Sequence, residues 1–332
     1  MMSINKSKSR QKKKTFFAFG LAFLLLLVYF FLSARSPAPT TNPTKPSDTP
    51  NVAKEETPLF STAPTQLYYR KIRVESNPAL LGKKVSEVYL YDLKKNQNKL
   101  IFTDIDEDFT IQNVAGIIND KMIIFATPLN ENAGDLWEVA TDGSGAKKKI
   151  ANSLVITSIK ATAEKIIFVS YDSNVPQYTL WMMDKEGKNQ KKILESDFPI
   201  SDPVIRENGL AYISSDSNLI DSIVTINFDG SEKKEILKSK NASLSRLSYA
   251  KGKYVYLKIP KDGSDNANEI YLFDTTTGTE KRITQNNEKE EHPLISQNGE
   301  DLAFVKNNKI WLKNLNSGEE KVLTEGTQPL WF

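Results

Sequence analysis

The chain has 332 residues, 39% hydrophobic and 26% charged, a balance that fits a globular protein with a solvated surface and excludes a wholly disordered one. It holds no cysteine and one histidine, which rules out disulfides, thiolate metal sites, cysteine nucleophiles, cysteine-linked lipid and a multi-histidine metal centre. Net charge is +3, but seven of the 44 basic residues lie in residues 1–36, so the other 37 face 41 acids and the remainder carries −4. The basic pI belongs to the N-terminal stub, and no nucleic-acid partner is expected for the rest.

Residues 6–14, KSKSRQKKK, carry six positive charges and no negative one. The next stretch, TFFAFGLAFLLLLVYFFLS at 15–33, is uncharged and almost wholly apolar. About 19 residues at roughly 1.5 Å each span the hydrocarbon core of a bilayer, so a single transmembrane helix is predicted over 15–33. Basic residues favour the cytoplasmic side, which places residues 1–14 in the cytoplasm and the bulk of the chain outside it, at a cell membrane. A cleaved signal peptide would have a shorter apolar run and a small residue two positions before the cleavage site; Leu32-Ser33-Ala34 supplies leucine there, so an uncleaved anchor is the expectation. Residues 34–66 follow as a stalk: positions 36–66 hold seven of the fifteen prolines and few apolar residues, a composition that favours extended polyproline II over a packed core.

From residue 67 to 332 the pattern is short β-rich runs separated by turns. One alternating strand recurs as EVYLYD, DLWEVA, TLWMMD, SIVTIN, EIYLFD and KIWLKN, whose third residues, Tyr89, Trp137, Trp181, Val224, Tyr271 and Trp311, are spaced by 48, 44, 43, 47 and 40. A turn with Gly or Asn follows each, then a strand that begins on lysine. An apolar run precedes each (LYYRKI, MIIFAT, KIIFVS, LAYISS, YVYLKI, DLAFVK), and five of these are preceded by a further strand-like segment. Four strands per unit of roughly 44 residues, repeated in series, predict an all-β, six-bladed β-propeller. The first unit lacks its innermost strand, while TQPLWF at the C-terminus aligns with the innermost segments EHPLIS and SDPVIR. The C-terminal strand is therefore expected to complete blade one and close the ring.

The last unit, from Ile283 to Thr324, resembles the TolB-type propeller repeat: Pro293, Ser296 and Gly299 match its turn, Ala303-Phe304 and Ile310-Trp311 its two following strands. The likeness is good over units five and six and weaker over the first four. It implies a six-bladed propeller over 67–332 without the N-terminal α/β domain of TolB. The N-terminal anchor and stalk set the chain apart from soluble periplasmic TolB, so that family's partners do not carry over.

Catalytic signatures are sparse. No G-x-S-x-G nucleophile elbow occurs. The lone His292 falls where a TolB-type unit enters its innermost strand, which favours a structural role over a Ser-His-Asp one. DIDED (104–108) and DGSDNANE (262–269) lack the full spacing of an EF-hand loop and read as solvated connections, so no metal or other cofactor is expected. In a propeller the connections from strand four to the next blade, and from strand two to strand three, share one face. Sorting charge by this register gives that face a strong acidic excess and the opposite face a modest basic one. Asp104, Asp106, Asp108, Asp197, Asp202, Glu290 and Glu291 form the candidate acidic binding face at the channel mouth. The expected function is a non-catalytic, membrane-anchored, extracytoplasmic module for a protein or peptide partner. The alternative is a carboxylate-based glycan hydrolase with its site over the channel, which needs two acids about 5–9 Å apart.

Overall fold

A computed structural model describes residues 65–74, 84–104, 109–128, 133–261, 268–286 and 288–331. The predicted cytoplasmic stub, the transmembrane helix and nearly all of the stalk lie outside these residues, as do Asp106 and Asp108. The described residues form 24 strands and no helix, arranged as six four-stranded sheets.

Blade 1 takes β1 (Gln66–Val74), β2 (Lys84–Asp92) and β3 (Gln97–Asp104) from one end of the domain and β24 (Thr327–Trp331) from the other, in the order β24-β1-β2-β3. The remaining blades are continuous in sequence, innermost strand first. Blade 2 is β4 (Phe109–Ile118), β5 (Lys121–Pro128), β6 (Ala133–Ala140) and β7 (Lys147–Val155). Blade 3 is β8 (Ser158–Ala161), β9 (Lys165–Asp172), β10 (Gln177–Asp184) and β11 (Lys191–Ser196). Blade 4 is β12 (Ile200–Arg206), β13 (Gly209–Ser215), β14 (Asp221–Ile226) and β15 (Lys234–Ser239). Blade 5 is β16 (Ala242–Ala250), β17 (Lys253–Pro260), β18 (Glu269–Asp274) and β19 (Thr279–Arg282). Blade 6 is β20 (Glu290–Ile295), β21 (Asp301–Lys306), β22 (Lys309–Asn314) and β23 (Glu320–Glu325).

The repeated aromatic has a physical cause. In four blades it lies opposite an aromatic of the second strand and stacks on it: Tyr69 on Tyr89 (5.4 Å between centroids), Phe168 on Trp181 (6.4 Å), Tyr256 on Tyr271 (6.5 Å) and Phe304 on Trp311 (6.5 Å). Blade 4 has Tyr212 opposite Val224 instead, and the Tyr212 hydroxyl is buried without a hydrogen-bond partner among the described residues. The second strands supply the core. Ile166 to Val169, Leu210 to Tyr212 and Leu302 to Phe304 are each 1% exposed or less, because both faces of these strands meet a neighbouring blade.

Six apolar clusters fill the ring between successive blades. The one between blades 6 and 1 holds Leu67, Tyr69, Tyr91, Ala303, Val305 and Ile310, with Trp331 packed against it. Each such side chain contributes roughly 1.5–3 kcal/mol on burial, so each interface is a substantial part of the fold's stability. Polar ties reinforce some of them: Asp221 on β14 accepts the Leu244 N–H of blade 5 at 2.8 Å and the Ser215 hydroxyl at 2.7 Å.

Candidate functional site

The innermost strands line the channel, and a repeated irregularity decides what they present to it. In blade 4 Ser201 pairs with Ile213 and the next pair is Val204 with Ala211. The same jump occurs at Ser245 to Ser248 in blade 5, at Glu291 to Leu294 in blade 6, and at Thr327 to Leu330 in blade 1. Each is a bulge that bends the strand and re-aims one side chain. The bulged residue is left-handed every time: Asp202 (φ 46°), Arg246 (58°), His292 (49°) and Gln328 (49°). In three blades the residue after it is proline (203, 293 and 329), which has no N–H to withhold from the ladder.

These four residues line one space of about 210 Å³ in the channel, together with Lys160, Asn113 and Ser158. Blade 3, which supplies Lys160 and Ser158, lacks the bulge: Ser158, Ile159 and Lys160 pair regularly with Val169, Phe168 and Ile167. The throat is tied across blades. The Arg246 N–H, turned out by the left-handed backbone, donates to Asp202 Oδ2 at 2.8 Å. The buried guanidinium of Arg70 on β1 donates to Ser86 Oγ, to the Ile111 carbonyl at 2.7 Å and to Gln328 Oε1 at 3.3 Å.

The throat is cationic. Its lining carries the side chains of Lys160 and Arg246 against the single carboxylate of Asp202. Burial lowers the Lys160 pKa, Asp202 opposes that shift and Arg246 adds to it. Burial also takes the His292 pKa down to about 4, with Arg246 pushing the same way and Glu291 resisting, so the imidazole is neutral at pH 7. No hydrogen bond joins His292 to a serine or carboxylate among the described residues.

Among the described residues, the side chains of Asp197, Asp202, Glu290 and Glu291 have different surroundings. Asp104 closes β3, the outermost strand of blade 1, and Asp197 stands exposed in the connection from blade 3 to blade 4. Asp202 reaches the throat. Glu291 pairs with Lys289 at 2.9 Å, a contact that lowers its pKa. Glu290 is fully buried beside Glu269, and Asn286 joins the two: its side-chain amide donates to Glu290 Oε1 at 2.7 Å and its N–H to Glu269 Oε1 at 3.0 Å. The second oxygen of each carboxylate is buried without a partner among the described residues. Among the described residues no group of three or more His, Asp or Glu side chains gathers as metal ligands.

The Glu290 site gives a measurable sign. Burial raises its pKa, as does the charge of Glu269, while Asn286 and Lys306 work against the shift. A raised carboxyl pKa means that the folded state favours the proton, so this group costs stability as pH rises above the ordinary glutamate range. Glu290→Gln keeps the acceptor for Asn286 and removes the charge. It is expected to stabilise the domain by about 1 kcal/mol at pH 7.5 and by nothing at a pH low enough to protonate Glu290, read from thermal melts at the two pH values.

Sequence reasoning named neither Lys160 nor Arg246. The available signal was the repeated polar-Pro-apolar step, Asp202-Pro203-Val204, His292-Pro293-Leu294 and Gln328-Pro329-Leu330, whose alignment with Arg246-Leu247-Ser248 marks the bulge position.

Residues 250–331 match the family model of the dipeptidyl peptidase IV N-terminal region, which is about a quarter of the chain. No curated protein sequence matches. Among solved structures, TolB from Acinetobacter baumannii superposes with a TM-score of 0.60 at 16% identity over 80% of this chain and 66% of that one. The putative TolB from Agrobacterium tumefaciens gives 0.56 at 8% identity, covering 82% of this chain and 99% of that one. A chain of the nidogen/laminin complex gives 0.55 at 12% identity, covering 80% and 97%. The chain thus adopts a TolB-like six-bladed β-propeller fold, and at these identities the likeness is one of fold alone.

Proposed function

We propose that this chain is a non-catalytic binding module, held in a cell membrane by residues 15–33 with the propeller on the extracytoplasmic side, that receives a protein or peptide partner on the face of the inter-blade connections. One observation carries the reading. Four of the large apolar side chains that stand exposed lie at that face in three successive blades: Val155 (41% exposed), Val175 (63%), Phe198 (43%) and Leu219 (70%). Exposed apolar groups gathered on one side and rimmed by charge are the composition of a protein-binding surface. Asp197, exposed next to Phe198, supplies an acid at the rim that would favour a basic group of a partner there. TolB and the nidogen/laminin complex are neighbours in fold, and the latter is itself a protein complex.

The hydrolase alternative requires two carboxylates facing one space, and no observation favours it over binding. The test uses the detergent-solubilised full chain as bait for envelope proteins. Capture is expected to weaken as salt rises from 50 to 500 mM, because exposed charges are screened within roughly 10 Å at about 0.1 M. It is expected to fall at least about tenfold in a Phe198→Ser, Leu219→Ser double variant. Capture that ignores both salt and the double substitution refutes this face as the binding surface. External protease should also shave the propeller from intact cells stripped of their wall; protection refutes the orientation.

A further inference from the structure

The channel continues beyond the throat toward the opposite face, and its character changes there. A second space of about 520 Å³ adjoins the first, and the two share Lys160, Leu247, Leu294 and Leu330 as walls. The wall of this mouth is mainly apolar, with Ile117, Ile205, Leu330 and Trp331 half-buried or buried around it. Tyr249 stands beside them, and Asp120 lies at the hairpin end. Lys160 therefore sits at the boundary between an apolar mouth and a polar, cationic throat.

Two features of that boundary call for a ligand. Lys160 is enclosed by the ring and keeps solvent contact only through the channel, yet its ammonium makes no hydrogen bond or ion pair among the described residues. The guanidinium of Arg246, exposed to the same space, makes none among them either. The charges facing them can be counted. Asp202 is partly committed to the Arg246 N–H, Glu291 is paired with Lys289, and Arg70 adds positive charge from behind Gln328. An unpaired ammonium in a partly enclosed site is costly unless an anion completes it. Neutral His292, Asn113, Ser158 and Gln328 can add hydrogen bonds to an oxyanion without repelling it.

We infer that the channel is a binding site for a small organic carboxylate with an apolar body, its carboxylate held at Lys160 and Arg246 and its aryl or aliphatic part lying in the mouth against Ile117, Ile205 and Trp331. The oxyanion end selects against neutral molecules, and the apolar mouth selects against bare inorganic anions. This site is separate from the partner-binding face proposed above, lies toward the other end of the channel and stands without it.

The probe is 3-phenylpropanoate, titrated calorimetrically into the full chain in nanodiscs, beside 3-phenylpropan-1-ol and inorganic phosphate. One molecule of the acid is expected to bind, with the alcohol and phosphate each at least about tenfold weaker. Lys160→Met and Arg246→Gln should each weaken the acid at least about tenfold, whereas Lys160→Arg should stay within about threefold of the parent. Asp202→Asn, which removes the opposing charge, should tighten binding. Melting temperatures close to the parent's confirm that the variants fold. The Phe198→Ser, Leu219→Ser variant should bind the acid unchanged, which separates failure of this site from failure of the partner-binding face. An alcohol or phosphate that binds as tightly as the acid, a Lys160→Met variant that binds normally, or no binding at millimolar acid would each overturn the assignment.

Discussion

Removing residues 327–332 is expected to unfold the domain or to lower its melting temperature by roughly 10 °C or more. The strand lost, β24, pairs with β1 through Leu67 with Trp331 and Tyr68 with Leu330, and it is the only link that makes blade 1 four-stranded. Leu330 is 9% exposed and belongs to the cluster between blades 1 and 2, while Trp331 packs on the cluster between blades 6 and 1 and donates its indole N–H to the Leu294 carbonyl at 3.1 Å. A buried leucine alone is worth about 2–5 kcal/mol when truncated. With the tryptophan and the strand pairing added, the loss is comparable to the whole stability of an ordinary domain, about 5–15 kcal/mol. It also leaves the β1 edge open to pairing with another chain. Thermal melting followed by far-ultraviolet circular dichroism checks it, with size-exclusion chromatography for the aggregation that an open edge invites. A truncated chain that melts within about 2 °C of the parent would refute closure as a source of stability.

Arg70→Ala is expected to cost about 3 kcal/mol, the second largest effect, although the side chain is polar. The side chain is 7% exposed and ties three strands of blade 1 to blade 2: it sits on β1, donates to Ser86 on β2 and Gln328 on β24, and reaches the Ile111 carbonyl on β4. Truncation would take the guanidinium donors away from the buried Ser86 hydroxyl, which is costlier than the net worth of the bonds. Urea denaturation of the two proteins measures the difference. Arg70→Lys should recover only part of it, because an ammonium cannot span Ser86, Ile111 and Gln328 in the manner of a planar guanidinium.

The ring was legible in the sequence because its cause is local and repeated. The third residues of the repeated strand, from Tyr89 to Trp311, recur 40 to 48 residues apart because each faces the second strand of its own blade, and in four blades it stacks on an aromatic there. The strand order then fixed which end of the blades Asp197, Asp202, Glu290 and Glu291 occupy. It could not fix where their side chains point. Period-two alternation assigns a face only while the ladder is regular, and the bulges at Asp202 and His292 break it. Thus Asp202 turns into the throat, Glu290 is buried between strands, and Asp197 faces solvent. Lys160 and Arg246 escaped notice for a second reason. They are 86 residues apart on non-adjacent blades, and only closure of the whole ring brings them to one space.

The left-handed bulge has a consequence for how this molecule can change. At Asp202, Arg246, His292 and Gln328 the backbone is held by flanking pairs and each side chain must tolerate a positive φ, while Asp202 and Gln328 also accept hydrogen bonds from the Arg246 N–H and from Arg70. Four unrelated side chains already do so in four blades. Arg246 and His292, whose side chains make no hydrogen bond among the described residues, are therefore the positions where exchanging one polar residue for another, asparagine most easily, would change what the throat presents while the scaffold stays as it is. Valine or isoleucine at the same positions would instead strain the frame itself.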